Sequence, residues 1–176
     1  DKPTGNLTIT DAVHNIKGPA GTEVALTIRR KNDDPFVVKI KRAKIMIPSV
    51  KWENKGEGVI SIRLSRFGQD TNDDWDKAVT EIESSLSASP QAVVLDLRGN
   101  PGGYFDSAVY VASEFLSKGS LVSAKKYADG HREESFVERA GKYLKVPVVV
   151  LADGGSASAA EILAAALRDD RGAKLV

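Results

Sequence analysis

The sequence predicts an α/β layered domain preceded by a small module of one helix and a β-hairpin. Three observations carry that prediction. The order strand, glycine loop, helix occurs twice: "QAVVLDL" runs into "RGNPGG" and a helical stripe, and "VPVVVLA" runs into "DGGSAS" and "AEILAAALRDD". The apolar run "QAVVLDL" is continuous, the pattern of a strand covered on both faces, and "VPVVVLA" reads as a second buried strand. The opening segment instead alternates apolar and polar residues, as half-exposed strands do.

Taken in order, the first module is expected over residues 1–43. "DAVHNIKG" places Ala12, Val13 and Ile16 on one helical face and stops at Gly18 and Pro19. "TEVALTIRR" alternates Val24, Leu26 and Ile28, "NDDP" supplies a turn, and "FVVKIKR" alternates Phe36, Val38 and Ile40. A helix and two strands rarely close a core alone. The basic run "KIKRAK" suits an exposed sheet edge.

The second domain is expected over residues 44–176. It begins with a linker, "AKIMIPSVKWENKGEG", followed by the alternating strand "VISIRL". After the polar loop "FGQDTNDD", Thr71, Asn72 and Asp73 are candidate caps for a helix carrying Trp75, Val79, Ile82 and Leu86. The helix after "RGNPGG" aligns Phe105, Ala108, Val109, Ala112, Phe115 and Leu116 on one stripe. "SLVSAKK" reads as a strand, "YADGHREESFVERAGKY" fits no period, and "GAKLV" begins one more strand.

A chain of 176 residues can bury roughly 70% of the surface it exposes when unfolded, enough for a sizeable core. Its 25 basic and 24 acidic side chains leave a net charge of +1, which gives no electrostatic reason to expect nucleic acid or a membrane surface as partner. The lack of cysteine excludes disulfides, thiol catalysis and thiolate metal sites, and leaves the compartment open. No run approaches the ~20 apolar residues of a transmembrane helix. "DKPTGNLTIT" lacks the basic start and apolar core of a signal peptide, so an exported protein is expected to carry that segment elsewhere.

Both glycine loops fall at the carboxyl ends of strands, where open α/β sheets bind ligands. The N–H groups of "RGNPGG" could face a developing negative charge, while its spacing departs from GxGxxG and Pro101 removes one donor. A plain glycine turn is the competing reading. Ser156 and Ser158 sit where a strand turns into a helix, the place of a nucleophile in many hydrolases, although GxSxG is absent. Ser158 with Glu161 is also a capping box, and Ser156 is a cap or turn residue on either view.

A nucleophilic serine needs a base. His14 and His131 both lie in polar surroundings outside any triad motif. The pairs Asp33/Asp34, Asp73/Asp74 and Asp169/Asp170 read as turn and helix-end charges, and no HExxH or calcium-loop motif occurs.

The ordered pair "VVLDLRGNPGGYFDSAVYVASEFL" and "VPVVVLADGGSASAAEILAAALRDDRGAKLV" closely resembles the carboxy-terminal processing, or tail-specific, proteases. The resemblance implies a serine endopeptidase with a crotonase-like or ClpP-like α/β core and an inserted PDZ domain. The stretch "DKPTGNLTITDAVHNIKGPAGTEVALTIRR" resembles the second half of such a PDZ domain. By the same resemblance Ser158 is the nucleophile, and the backbone N–H groups of Ala159 and of Gly102 or Gly103 form the oxyanion hole. It implies no metal and no cofactor, substrates that are protein or peptide C-termini, action outside the cytoplasm in the periplasm or cell envelope, and room for a homo-oligomer.

Two departures stand out. Ala160 occupies a position where the family often has a second serine. The family's general base is a lysine roughly two dozen residues after the serine, a variant of the triad logic. That segment, with its assisting glutamine, is expected just past Val176, and Lys174 precedes it within a strand. The 176 residues alone are therefore expected to be catalytically incomplete. The alternative is a non-catalytic, peptide-binding relative; crotonase-like acyl chemistry would need a coenzyme signature that the sequence lacks.

Overall fold

The computed structural model describes residues 4, 7–31, 33–44 and 47–176. The chain divides into two units, Asp1–Ile47 and Pro48–Val176. In the first, Thr8 and Asp11 form a capping box, Asp11 N–H donating to Thr8 Oγ1 at 3.1 Å, and start helix α1, Ile9–Ile16. Strands β1 (Glu23–Ile28) and β2 (Phe36–Lys41) pair antiparallel with Leu26 opposite Val38. Arg42 ties helix to hairpin, its Nε donating to Ile16 O at 2.7 Å and one terminal nitrogen to Thr22 Oγ1 at 2.8 Å. Of the expected turn "NDDP", Asn32 lies outside the described residues, as do Ile45 and Met46 of the expected linker. No described residue of this unit is buried, as expected for two strands and one helix with nothing to close over.

The second unit opens with a strand inside the stretch read as a linker. β3 (Val50–Asn54) runs antiparallel to β4 (Val59–Leu64), turning through Gly56 and Gly58. Next come α2 (Thr71–Ser85), β5 (Ala92–Asp96) and α3 (Phe105–Ala112). They are followed by the hairpin β6 (Leu121–Lys126) and β7 (Arg132–Phe136). The last elements are β8 (Val148–Leu151), α4 (Ala159–Arg171) and β9 (Lys174–Leu175). One sheet is ordered β3-β4-β5-β8-β9, parallel except for β3. The "YADGHREESFVERAGKY" stretch thus contains β7 and most of a hairpin turn.

Alternate residues Ile60, Ile62, Leu64, Val93, Leu95, Val148 and Val150 are buried in one cluster with Trp75, Ile82, Val111, Phe115 and Leu163 of the helical layer. Full burial of each aliphatic side chain is worth about 1.5–3 kcal/mol. The opposite face of β5 is more open than its continuous apolar sequence predicts. Val94 is half-buried and joins Ser61, Arg63 and Asp96 around a shallow depression. The reason is layering: the apolar run is buried by helices on one face only.

Helix α2 also starts differently from the expected caps. Asp70 is its N-cap position and makes no side-chain cap bond, while Thr71, fully buried, turns its hydroxyl inward. Thr71 Oγ1 accepts from Gly68 N–H at 2.8 Å and donates to Ser49 Oγ at 2.9 Å. In α3 the helix stops at Ala112, and Phe115 and Leu116 reach the core from the following turns.

Candidate active site

β5 and β8 are parallel neighbours with Asp96 opposite Leu151, so the two glycine loops leave the sheet side by side. Four hydrogen bonds stitch them. Leu97 N–H donates to Leu151 O at 2.8 Å, and Ala157 N–H donates to Asn100 O at 2.9 Å. Gly99 N–H donates to Asp153 Oδ1 at 2.8 Å, and Ser156 Oγ donates to Leu97 O at 2.8 Å. Ser156, expected as a cap or turn residue, closes a turn on Asp153, its N–H donating to Asp153 O at 2.9 Å, and is in addition a loop-to-loop tie.

Ser158 is exposed at the start of α4 with φ 54° and ψ −117°. Glu161 accepts the Ser158 N–H at 2.6 Å, which is the reciprocal half of the expected capping box. Capping does not explain the backbone, because an N-cap residue ordinarily sits in the extended region, as Thr8 does at φ −68° and ψ 162°. A side chain held at positive φ costs about 1–3 kcal/mol and persists only where its surroundings impose it. A strained turn from strand to helix is also the geometry that lifts a nucleophile clear of its sheet.

The first loop lies directly against this serine. Gly102 has φ 90°, and a Cβ there would fall 2.6 Å from Ala157 O, 2.7 Å from Ser158 Cβ and 3.0 Å from Ala159 N. Gly103, at φ 135°, would push a Cβ to 2.0 Å from Phe67 O. Phe67 braces the loop from the end of β4: its N–H donates to Gly102 O and its carbonyl accepts from Tyr104 N–H, both at 2.9 Å. The Gly102 N–H donates to Asn100 Oδ1 at 2.9 Å. Among the described residues, the N–H groups of Gly103 and Ala159 have no acceptor.

Carboxylates organise both loop starts. Asp96 receives Arg98 on both oxygens, at 2.9 and 2.8 Å, and Arg63 at 3.0 Å. The Arg98 guanidinium is the main cause that holds its carboxyl down at about 2. Asp153 is held below the usual carboxylate range by the N–H groups of Gly99 and Gly155.

His14 belongs to α1, in the first unit, and exposed His131 stacks on Tyr127 at the β6–β7 turn. Lys174 is exposed in β9, paired with Val149. Among the described residues, no hydrogen bond joins Ser158 to a histidine or lysine. Sequence reasoning missed Asn100, Asp153 and Phe67; an asparagine before a Pro-Gly pair and an aspartate before a Gly pair read there only as turn residues.

The chain is similar to known proteins. A carboxy-terminal-processing protease of Bartonella bacilliformis is 38% identical over 182 residues, covering 99% of this chain and 41% of its own. The carboxy-terminal processing protease CtpA of Bacillus subtilis is 33% identical over 175 residues, covering 99% of this chain and 37% of its own. The chain thus spans about two fifths of the length of these relatives. In fold it is similar to a photosystem II D1 C-terminal processing protease, with a TM-score of 0.65 at 24% identity over 96% of this chain and 47% of the other. The profile of peptidase family S41 matches residues 58–176, from the β3–β4 turn through both glycine loops to the end of β9. The chain belongs to peptidase family S41.

Proposed function

We propose that the protein containing this chain is a serine endopeptidase that cleaves protein substrates near their C-termini, outside the cytoplasm, with Ser158 as nucleophile. The observation that carries the reading is the strained backbone of Ser158 at φ 54°, pressed against Gly102 of the neighbouring loop. Ser158 Oγ adds to the scissile carbonyl and gives up its proton to a base. The tetrahedral oxyanion is met by N–H donors of the two loops. Ala159 supplies one and Gly103 the other, because the Gly102 N–H is already engaged by Asn100. Such a donor is worth on the order of 3 kcal/mol in the transition state. Collapse, with the base passing that proton to the nitrogen, expels the amine and leaves an acyl-serine, which water then hydrolyses.

The family resemblance supports a lysine base outside residues 1–176, neutral when it acts and therefore with a pKa lowered by burial. This 176-residue stretch alone is expected to cleave nothing. The α1 and β1–β2 unit resembles part of a PDZ domain, and binding of a substrate terminus by strand addition fits its exposed hairpin.

The test is cleavage of an unstructured substrate by the full-length protein and by Ser158→Ala. Loss of turnover by a factor of roughly 10³ or more is expected. Equal cleavage would remove Ser158 from the mechanism. Binding of peptide without cleavage by the wild type would leave the non-catalytic scaffold.

A further inference from the structure

Asn100 is fully buried, in a loop whose flanking residues Gly99 and Pro101 are exposed. Its polar groups are all engaged. The backbone N–H donates to Leu97 O at 3.1 Å and the carbonyl accepts from Ala157 N–H at 2.9 Å. Side-chain Nδ2 donates to Leu64 O at 2.8 Å, and Oδ1 accepts from Gly102 N–H at 2.9 Å. One residue thereby joins the end of β4, the glycine pair and the residue that precedes Ser158.

The bonds to Leu97 and Gly102 are the local ones of a turn, but full burial and the long-range bonds to Leu64 and Ala157 are not, since a turn asparagine is ordinarily exposed and bonds locally. The site needs a neutral group with a donor on one edge and an acceptor on the other, which the carboxamide has. Rotating or removing that amide would leave a buried carbonyl and a buried N–H unpaired. The loop would shift to find partners.

We propose that Asn100 is the positioning residue that sets the separation between the Gly102–Gly103 segment and Ser158. It touches no substrate and acts through the peptide it holds. This rests on Ser158 and the loop N–H groups being the catalytic pair, and the test separates the two ideas.

Asn100→Asp in the full-length protein gives the sharpest readout. An ionised carboxylate has no hydrogen for Leu64 O, whereas the protonated acid restores both a donor and an acceptor. At about pH 8, kcat is expected to fall on the order of 100-fold with KM little changed, because a misplaced donor weakens the transition state more than substrate binding. The ratio of Asn100→Asp activity to wild-type activity is expected to climb as pH falls towards about 5, since burial raises the pKa of the new carboxyl. Asn100→Ala carries no ionisable group and keeps the question answerable should Asn100→Asp unfold. Its kcat is expected to be low by a ratio that does not change with pH, in protein whose thermal melt shows it folded.

A folded Asn100→Asp or Asn100→Ala protein with wild-type kcat, beside an inactive Ser158→Ala, overturns the positioning role and leaves the nucleophile intact. An active Ser158→Ala overturns the underlying reading instead, and this role with it.

Discussion

The two glycine loops solve the same geometric problem in opposite ways. In the first, every positive φ falls on a glycine: Gly99 at 66°, Gly102 at 90° and Gly103 at 135°. In the second, neither Gly154 nor Gly155 takes one, and the positive φ falls on Ser158. Among the described residues the other non-glycine case is Glu57, in the tight turn between β3 and β4, where turn geometry accounts for it. The first loop must bring bare backbone close to a neighbour, so glycine removes the obstacle. The second carries a side chain at its positive φ, so strain is accepted instead.

The largest expected effect tests the first half of the contrast. Gly103→Ala would drive its Cβ to 2.0 Å from Phe67 O, and Gly102→Ala would drive it against Ala157 O and Ser158 Cβ. Each is expected to destabilise the protein by about 3 kcal/mol and to abolish cleavage, as overpacking and positive φ act together. Gly154→Ala, with nothing within 4 Å of the new Cβ, is expected to stay within about 0.5 kcal/mol of wild type. Urea unfolding of the three variants measures the difference. Equal midpoints would mean that the first loop is not held tightly.

The second half turns on a sign. If Ser158 were only a cap, Ser158→Gly would lose a few tenths of a kcal/mol. If the turn is strained for the sake of the side chain, glycine relieves about 1–3 kcal/mol and gives back part of that through its freer unfolded chain. A net gain of about 1 kcal/mol is expected, read as a rise in melting temperature, alongside complete loss of cleavage.

This contrast was only half legible in the sequence. Glycine spacing and apolar runs mark the ends of β5 and β8, because those signals are local. The strain at Ser158 is not local; it depends on Gly102 approaching from a loop more than fifty residues earlier. Asn100 reads as a turn former until Leu64 O, 36 residues away, is seen to meet its amide. β3 hides in "VKWEN" because its alternation is only two apolar residues long, Val50 and Trp52 between exposed Lys51 and Glu53, close behind Pro48. β7, "REESF", hides because Phe136 is its one apolar residue and no alternation exists to read. The open face of β5 shows that a continuous apolar run reports strand length and not how many layers cover it.

The smallest expected effect concerns how each loop is fastened. Asn100 fastens the first from inside and has no charge to lose, while Asp153 fastens both at the exposed rim, accepting Gly99 and Gly155 N–H at 2.8 and 2.9 Å. Because these bonds favour the ionised form, the folded pKa of Asp153 lies below its ordinary 3.8. Its contribution to stability is therefore complete above that value and fades as pH falls through the folded pKa, where folded and unfolded chains hold the same proton. Asn at this position still accepts both N–H groups but does not titrate. Wild type is expected to melt slightly higher than Asp153→Asn at pH 7, with the gap narrowing below about pH 4. Asp96, held at about 2 by Arg98, titrates in both proteins and cancels from the comparison. A gap that stays constant down to pH 3 would show that the rim tie is steric and owes nothing to the carboxylate's charge.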